Sequence, residues 1–432
     1  MRFDHLHHHY EINRRQLLSG AAKLGAGAAV AMGTGGMLAG AAGADDGPRE
    51  KKDDKPRGGD EVKILGRYND DFDVAGALDG TWAKETSARY GKDDQRGSLN
   101  EITPRKTARA LKLLEGSKKV VTHNLGHLMV DGAPGYVTFP PRRYSQRLTA
   151  LGYTPKDPNF FSTTTPGLAG EDEWRAADRT RGPLGYLQSS VPSGTNTLSG
   201  HEERFLEGGT YQIMTQLDNL PHIGVKEVYY NGFRADDFAT PLGVSKLGLE
   251  HVGPIVTRGI LLDVLGWKQS RRSGDVQTVN GNPMLADTYR ITLEDLLDTM
   301  KWEGIKGIEA GDVVLIRTGW DSLADDPSTY DRYLATEPGI YLREAKYLGD
   351  HRPAVIGADS WALEIVGVAD PRGYAFAVHQ ELIPKRGIRI GEAIRTNSLA
   401  AEGAHEFVYC YMPQHAWGAT AGNTPPMAMT RG

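Results

Sequence analysis

The chain contains the stretch Gln212-Ile213-Met214-Thr215-Gln216-Leu217-Asp218-Asn219-Leu220-Pro221-His222, in which polar side chains recur at even spacing. On an extended segment, side chains separated by an even number of residues project from the same face. Four side chains are then expected on one side: Gln212, Gln216, Asp218 and His222. A carboxylate and an imidazole beside two amide oxygens form a donor set that suits zinc or manganese.

One short segment does not close a metal site, so further ligands must come from elsewhere in the chain. His379 and Glu392 supply a second imidazole and a second carboxylate. From the residues alone, His379 is more simply interpreted as a capping or packing side chain, and Glu392 as an exposed acid at the start of a helix.

The composition describes a large globular protein. With 432 residues, of which 39% are hydrophobic and 24% charged, the chain can bury a large core in one domain or two. The net charge of −5 argues against nucleic acid as a partner, because phosphate binding requires clustered lysine and arginine. Cys410 is the only cysteine, which excludes an intramolecular disulfide, and its alternating surroundings predict a buried strand position.

Short apolar runs separated by an amphipathic segment predict an α/β protein. Residues 259–265 and 312–317 are rich in branched apolar side chains, which is typical of strands covered on both faces. Between them, Thr292 is followed three residues later by Asp295, a cap-like start for an amphipathic helix. The other predicted elements are a helix at residues 342–348 and strands at residues 354–358 and 406–412.

The N-terminus carries the features of an export signal. Asn13-Arg14-Arg15-Gln16-Leu17-Leu18 precedes a glycine- and alanine-rich stretch that ends at Ala42-Gly43-Ala44, and the whole looks like a twin-arginine signal peptide with its cleavage site. A transmembrane anchor or a buried helix is the alternative, but the glycine content and the charges that follow argue against both. We therefore predict a signal peptide at residues 1–44, a charged disordered linker at 45–61 and one folded domain at 62–432.

The stretch from Gln212 to His222 resembles the signature of the metal-dependent cyclase family, which includes kynurenine formamidases and isatin hydrolases. That signature reads HxxxHxDxxxH, whereas this chain reads QxxxQxDxxxH, as in a branch with glutamine at the first two histidine positions. Further similar segments follow in family order, at residues 89–100, 254–259, 315–320, 359–364 and 418–422. The resemblance implies the swivelling β/β/α fold of that family, a cyclase-like α/β domain built as a homodimer or higher oligomer.

The resemblance also implies roles for individual residues. The implied metal ligands are Asp218, His222, His379 and Glu392. Gln216 either reaches the metal directly or holds a water bound to it, and Gln212 either hydrogen-bonds the substrate or only packs. Because an amide oxygen is a weaker ligand than imidazole, we expect one divalent metal, zinc or manganese.

These roles imply metal-dependent hydrolysis of a small molecule. A metal-activated water would attack an amide, lactam or ester carbonyl, and one histidine, His222 or His379, would carry the proton. We expect an exported hydrolase of a cyclic or N-acyl amide, similar to arylformamidases and isatin hydrolases, that acts on C–N bonds other than peptide bonds. The alternative is a non-catalytic exported protein that binds a small molecule on the same fold. Two acids and two imidazoles that are costly to bury unpaired favour the enzyme.

Other polar and aromatic side chains receive a structural interpretation. His123 and His127 are four residues apart, but a glycine between them and β-branched residues before them predict a strand that runs into a loop. Tyr136, Phe139 and Tyr144 lie among prolines and glycines, where loop packing and pocket lining are both open.

Replacing both Arg14 and Arg15 with lysine should leave the protein folded in the cytoplasm, because twin-arginine export depends on the arginine pair. The unaltered protein should reach the periplasm or the medium with no membrane span and with Asp45 as its first residue. N-terminal sequencing of the extracytoplasmic fraction checks this. Export of the double-lysine variant, or an intact Met1 on the exported protein, would rule it out.

Overall fold

One mixed β-sheet organises the fold. The computed structural model describes residues 59–136, 142–151, 200–205 and 209–432. The predicted signal peptide lies outside the described residues, as do Phe139 and most of the predicted linker. The first described helix begins at Gly59, within the segment predicted as linker. The described residues belong to one large unit, Pro56–Gly432.

Nine strands form the main sheet in the described part of the chain. They are β1 (Val120–Asn124), β4 (Gln216–Asp218), β7 (Ile255–Leu262), β10 (Val313–Ile316), β11 (Val355–Ala358), β12 (Arg389–Glu392), β13 (Glu406–Tyr411), β14 (Ala421–Gly422) and β15 (Met427–Arg431). Their order is β1-β15-β13-β7-β10-β11-β12-β4-β14, with β7, β10, β11 and β12 parallel and the flanking strands antiparallel. Three two-stranded pairs complete the strands: β2 (Gln146–Leu151) with β3 (Gly200–Phe205), β5 (Ala239–Thr240) with β6 (Gly243–Val244), and β8 (Val276–Val279) with β9 (Asn282–Leu285).

The α-helices surround this sheet. They are α1 (Gly59–Arg67), α2 (Val74–Leu78), α3 (Thr81–Tyr90), α4 (Pro104–Leu111), α5 (Ala235–Phe238), α6 (Val264–Ser270), α7 (Leu293–Glu303), α8 (Tyr330–Ala335), α9 (Leu342–Asp350), α10 (Ala377–Arg386) and α11 (Asn397–Glu402). In the described residues, no helix has both the length and the apolar character needed to cross a membrane.

The central strands are buried on both faces, as predicted. Alternate side chains of β7 enter different cores: Ile260 packs in one hydrophobic cluster and Leu261 in another. On β10, Val314 and Leu315 divide in the same way. Side chains on successive strand positions point to opposite faces, so a strand covered on both sides needs an unbroken apolar run.

Most predicted elements are confirmed, and one boundary is wrong. Helix α7 begins with the predicted cap, a reciprocal capping box between Thr292 and Asp295. Strand β7, however, ends at Leu262 instead of continuing to residue 265. The carboxylate of Asp263 accepts a hydrogen bond from the backbone N–H of Gly266 (2.8 Å), and this cap starts α6 inside the apolar run. Cys410 lies on β13 as predicted but is only half-buried.

The stretch from Gln212 to His222 is not one extended segment, which corrects the premise of the sequence prediction. Only β4 is strand, and Met214 adopts a left-handed conformation with φ 54°. After Asp218 the chain turns, and the backbone N–H of His222 donates to the carbonyl of Asn219 (3.0 Å). This turn folds His222 back toward Asp218.

The turn between α10 and β12 is held by a distant segment of the chain. Gly387 ends α10 in a left-handed conformation with φ 68°. Ser98 donates two hydrogen bonds to the carbonyl of Gly387, from its backbone N–H (2.9 Å) and from its hydroxyl (3.0 Å). Gly97, with φ 59°, packs so closely on this carbonyl that a Cβ atom would collide with it. The contact fixes the separation between His379 on α10 and Glu392 on β12.

Gly97→Ala should therefore destabilise the protein more than Gly116→Ala. Both glycines have positive φ, so each alanine costs about 1 kcal/mol of unfolding free energy for its backbone conformation. A Cβ atom at Gly97 would collide with the backbone of Gly387, whereas no atom lies within 4 Å of a Cβ at Gly116. We expect the clash to add about 2 kcal/mol, which urea unfolding can measure. Equal losses in the two variants would show that the α10–β12 turn is not clamped in this way.

Candidate metal centre

Three side chains that sequence alone nominated converge in the interior. Asp218, His379 and Glu392 place ligand atoms within 4.8 Å of one another, and all three are buried. Antiparallel pairing of β4 with β12 sets Gln216 opposite Glu392, which brings the two acids together on neighbouring strands of the sheet. His379 reaches them from the first turn of α10. Glu392 is therefore a buried strand residue and not an exposed acid at a helix start.

Glu364 orients His379. Its carboxylate accepts from the backbone N–H of His379 (3.1 Å) and lies 2.6 Å from Nδ1 of the same residue. With Nδ1 engaged, Nε2 faces the two acids, 3.2 Å from Oε1 of Glu392 and 3.6 Å from Oδ2 of Asp218. A carboxylate behind a histidine is the common arrangement for metal-binding imidazoles, because it fixes the ring and its tautomer.

The donor set fits a divalent cation. Oδ2 of Asp218 is fully buried and has no hydrogen-bond partner among the described residues. Buried carboxylate oxygens are normally paired or bound to a metal. One imidazole nitrogen and two carboxylates are ligands that zinc and manganese accept. Asp218, His379 and Glu392 would hold the ion.

Burial and mutual repulsion shape the charges of these groups. Burial raises the pKa of Glu392, and the neighbouring Asp218 carboxylate raises it further, to about 7. Burial also opposes ionisation of Asp218, but the neighbouring imidazoles of His222 and His379 hold its pKa below the usual value. For His379, hydrogen bonds to the surrounding acids outweigh burial and raise the pKa. Such a cluster attracts positive charge, which a divalent cation can supply.

Gln216 turns its amide nitrogen, and not an oxygen, toward the acids. Nε2 of Gln216 donates to Oε2 of Glu392 (2.6 Å), to Oδ1 of Asp218 (3.0 Å) and to Oε1 of Gln212 (2.8 Å). An amide N–H₂ group cannot ligate a cation. In this structure Gln216 bridges the two carboxylates, and its contact with a metal or with a water bound to it stays a prediction.

His222 lies beside the trio but outside it. Its Nε2 is 3.4 Å from Oδ2 of Asp218, and its Nδ1 is 3.0 Å from Nε2 of Gln212. An amide nitrogen only donates, so Nδ1 accepts and the proton of the neutral ring sits on Nε2. Burial lowers the pKa of His222, which favours this neutral form. Gln212 thus contacts a histidine, a role that the sequence did not predict for it.

A small open pocket leads to Glu392 and to the two glutamines, Gln212 and Gln216. Its lining includes Tyr136, which sequence analysis left open as a pocket residue, and three residues that sequence analysis missed: Arg142, Tyr333 and Trp361. The rings of Tyr136 and Trp361 stack at 5.0 Å. Spacing could not have revealed these residues, because they come from separate loops and a helix.

The remaining histidine pair has a structural environment. His123 lies on β1, as predicted, with Ser398 and Thr430 each 3.0 Å from a ring nitrogen. His127 follows the strand in a loop, 3.6 Å from a carboxylate oxygen of Asp325. Neither histidine belongs to the candidate metal-binding group that is found among the described residues.

Comparison with known proteins finds one family model and several solved structures that resemble this chain. The family model described as putative cyclase matches residues 162–365, a range that contains Asp218 and ends before His379. A solved structure described as a novel cyclase is 26% identical with a TM-score of 0.58, over 80% of this chain and 98% of its own. Isatin hydrolase A from Ralstonia solanacearum is 13% identical with a TM-score of 0.46, over 76% of this chain and 98% of its own. Isatin hydrolase A from Labrenzia aggregata is 14% identical with a TM-score of 0.44, over 78% of this chain and 100% of its own. No curated protein matches the sequence. The chain is thus similar to the putative cyclase family over residues 162–365, and it shares the fold of the solved structure described as a novel cyclase.

Proposed function

We propose that this protein is a metal-dependent hydrolase of a cyclic or N-acyl amide. The observation that carries the proposal is the buried cluster of Asp218, His379 and Glu392, with one carboxylate oxygen left without a partner. When bound there, a zinc or manganese ion would lower the pKa of a bound water, from 15.7 to about 7 in favourable zinc sites, and would polarise a carbonyl oxygen. Water attack on an amide carbonyl is the chemistry that such a site favours.

The two histidines take different roles in this proposal. Glu364 holds Nδ1 of His379, so Nε2 faces the acids and would bind the ion once it has lost its proton. His222 keeps an Nε2–H beside Asp218, where it can donate a hydrogen bond to negative charge that develops on the substrate. For His222 to carry a second proton, Gln212 must turn its amide so that oxygen faces Nδ1. That turn breaks the hydrogen bond from Gln216.

A non-catalytic binding protein would not need this arrangement. It could fill the same interior with apolar side chains and avoid the cost of burying two adjacent carboxylates. The orientation of His379 by Glu364 and of His222 by Gln212 favours the enzyme. We further propose that the enzyme acts outside the cytoplasm as a homodimer or higher oligomer, on the basis of its N-terminal sequence and of the resemblance described above.

The mature protein, purified without a histidine tag, should hold about one zinc or manganese ion per chain. Asp218→Asn should abolish metal binding and hydrolysis, since it removes a charged ligand while keeping the shape of the side chain. Asp236→Asn, at an exposed helix position, is the matched control and should change neither. Elemental analysis and an assay with N-acyl anilines measure both quantities. Metal retained by Asp218→Asn, or two tightly held ions per chain, would contradict the single-ion site.

His222→Asn should retain the metal and lose about 10²- to 10⁴-fold in kcat, the range typical of a proton-handling or charge-stabilising side chain. Gln212→Ala should lose less, about tenfold, because it frees the His222 ring without removing it. The metal content of each variant separates the two possible roles of His222. Loss of the ion from His222→Asn would make His222 a ligand, as the family resemblance first implied.

A further inference from the structure

The pocket above the metal centre is rich in hydrogen-bond donors that have no acceptor. The hydroxyl of Tyr333 and the indole N–H of Trp361 are buried and unpartnered among the described residues. Arg142 lines the same pocket, with its guanidinium 5.8 Å from the ring centre of Tyr136 and no ion pair among the described residues. A buried donor without an acceptor is costly, and it marks a place where a ligand or water completes the hydrogen bond.

Arg142 lies at the same pocket as the metal centre. The pocket that it lines is also lined by Gln216 and by the candidate ligand Glu392. An arginine paired with a protein carboxylate would be neutralised locally. Arg142 has no such carboxylate partner among the residues that the structure describes, so it can pair with an anion that enters the pocket, and its planar group suits the two oxygens of a carboxylate.

We propose that the substrate carries a carboxylate group in addition to the carbonyl that is hydrolysed, and that Arg142 binds this carboxylate with Tyr333 and Trp361 as further donors. The inference rests on the proposed hydrolase function and names its substrate class, a small carboxylate-bearing amide or lactam. Ile213, Met214 and Leu334 form the apolar part of the lining, which suits a ring or short hydrocarbon between the two polar groups.

The aromatic wall holds the donors in place. Trp361 stacks on Tyr136, and its backbone N–H donates to Glu337 (2.7 Å). Glu337 is fully buried and also accepts from the backbone N–H of Ala362 (2.9 Å), so the loop is fixed from behind. Fixed donors lose little entropy on binding, and they reject a ligand that lacks the matching acceptor.

The test compares two probes that differ only in the carboxylate, N-acetylanthranilate and acetanilide. Their dissociation constants are measured by calorimetry on the mature zinc-loaded protein, and hydrolysis of the same compounds is followed separately. We expect the native protein to bind the carboxylate probe about tenfold or more tightly than acetanilide. Arg142→Gln should reduce this preference to less than about twofold, with acetanilide affinity unchanged.

Two further variants sharpen the result. Arg143→Gln, at the adjacent exposed position, is the matched control and should keep the full preference. Tyr333→Phe removes only the hydroxyl. It should weaken the binding of N-acetylanthranilate and leave the binding of acetanilide unchanged. A native protein without preference overturns the proposal, and so does a preference that survives Arg142→Gln, which would place the carboxylate on the metal. If the protein prefers the carboxylate probe but hydrolyses neither compound, the result counts against the proposed function. If it hydrolyses the compounds but shows no preference for the carboxylate, the result counts against this inference alone.

Discussion

The burial of two carboxylates side by side is the constraint on which the rest of the site depends. Asp218 and Glu392 are brought together by strand pairing, and both are shielded from water. Two adjacent buried charges repel strongly unless positive or hydrogen-bonding groups surround them. Gln216 bridges them through its amide nitrogen, and His379 faces both through Nε2. These groups leave Oδ2 of Asp218 without a hydrogen-bond partner among the described residues, and a cation fits at this oxygen.

The surrounding fold keeps these groups in position through a series of buried anchors. Glu337 fixes the loop that carries Trp361, and the same loop continues to Glu364. Glu364 in turn orients His379 at the start of α10. At the other end of α10, Ser98 holds the turn that leads into β12 and Glu392. The candidate metal ligands, which come from two strands and a helix, thus depend on contacts far from the site.

Sequence reasoning succeeded where one residue type has one physical use. The apolar runs at residues 259–262 and 313–316 are strands covered on both faces, and Thr292 with Asp295 forms the expected capping box. The acids and the histidine of the trio could be nominated because few side chains bind zinc or manganese. The family resemblance then selected Glu392 over its simpler interpretation as an exposed acid.

Sequence reasoning failed where the outcome depended on geometry between distant segments. The bend at Met214 and the turn before His222 could not be inferred from even spacing. The hydrogen bond from Gln216 to Glu392 follows from the pairing of β4 with β12, which the local sequence does not indicate. Arg142, Tyr333 and Trp361 meet in one pocket only after the chain has folded.

X-ray absorption at the metal edge of the mature, metal-loaded protein tests the central claim most directly. The account predicts one imidazole per metal ion, from His379, with oxygen ligands completing the coordination. The spectrum of His222→Asn should then match that of the native protein. Two imidazoles per ion in the native protein, reduced to one in His222→Asn, would contradict the separation of ligand and proton-handling histidines.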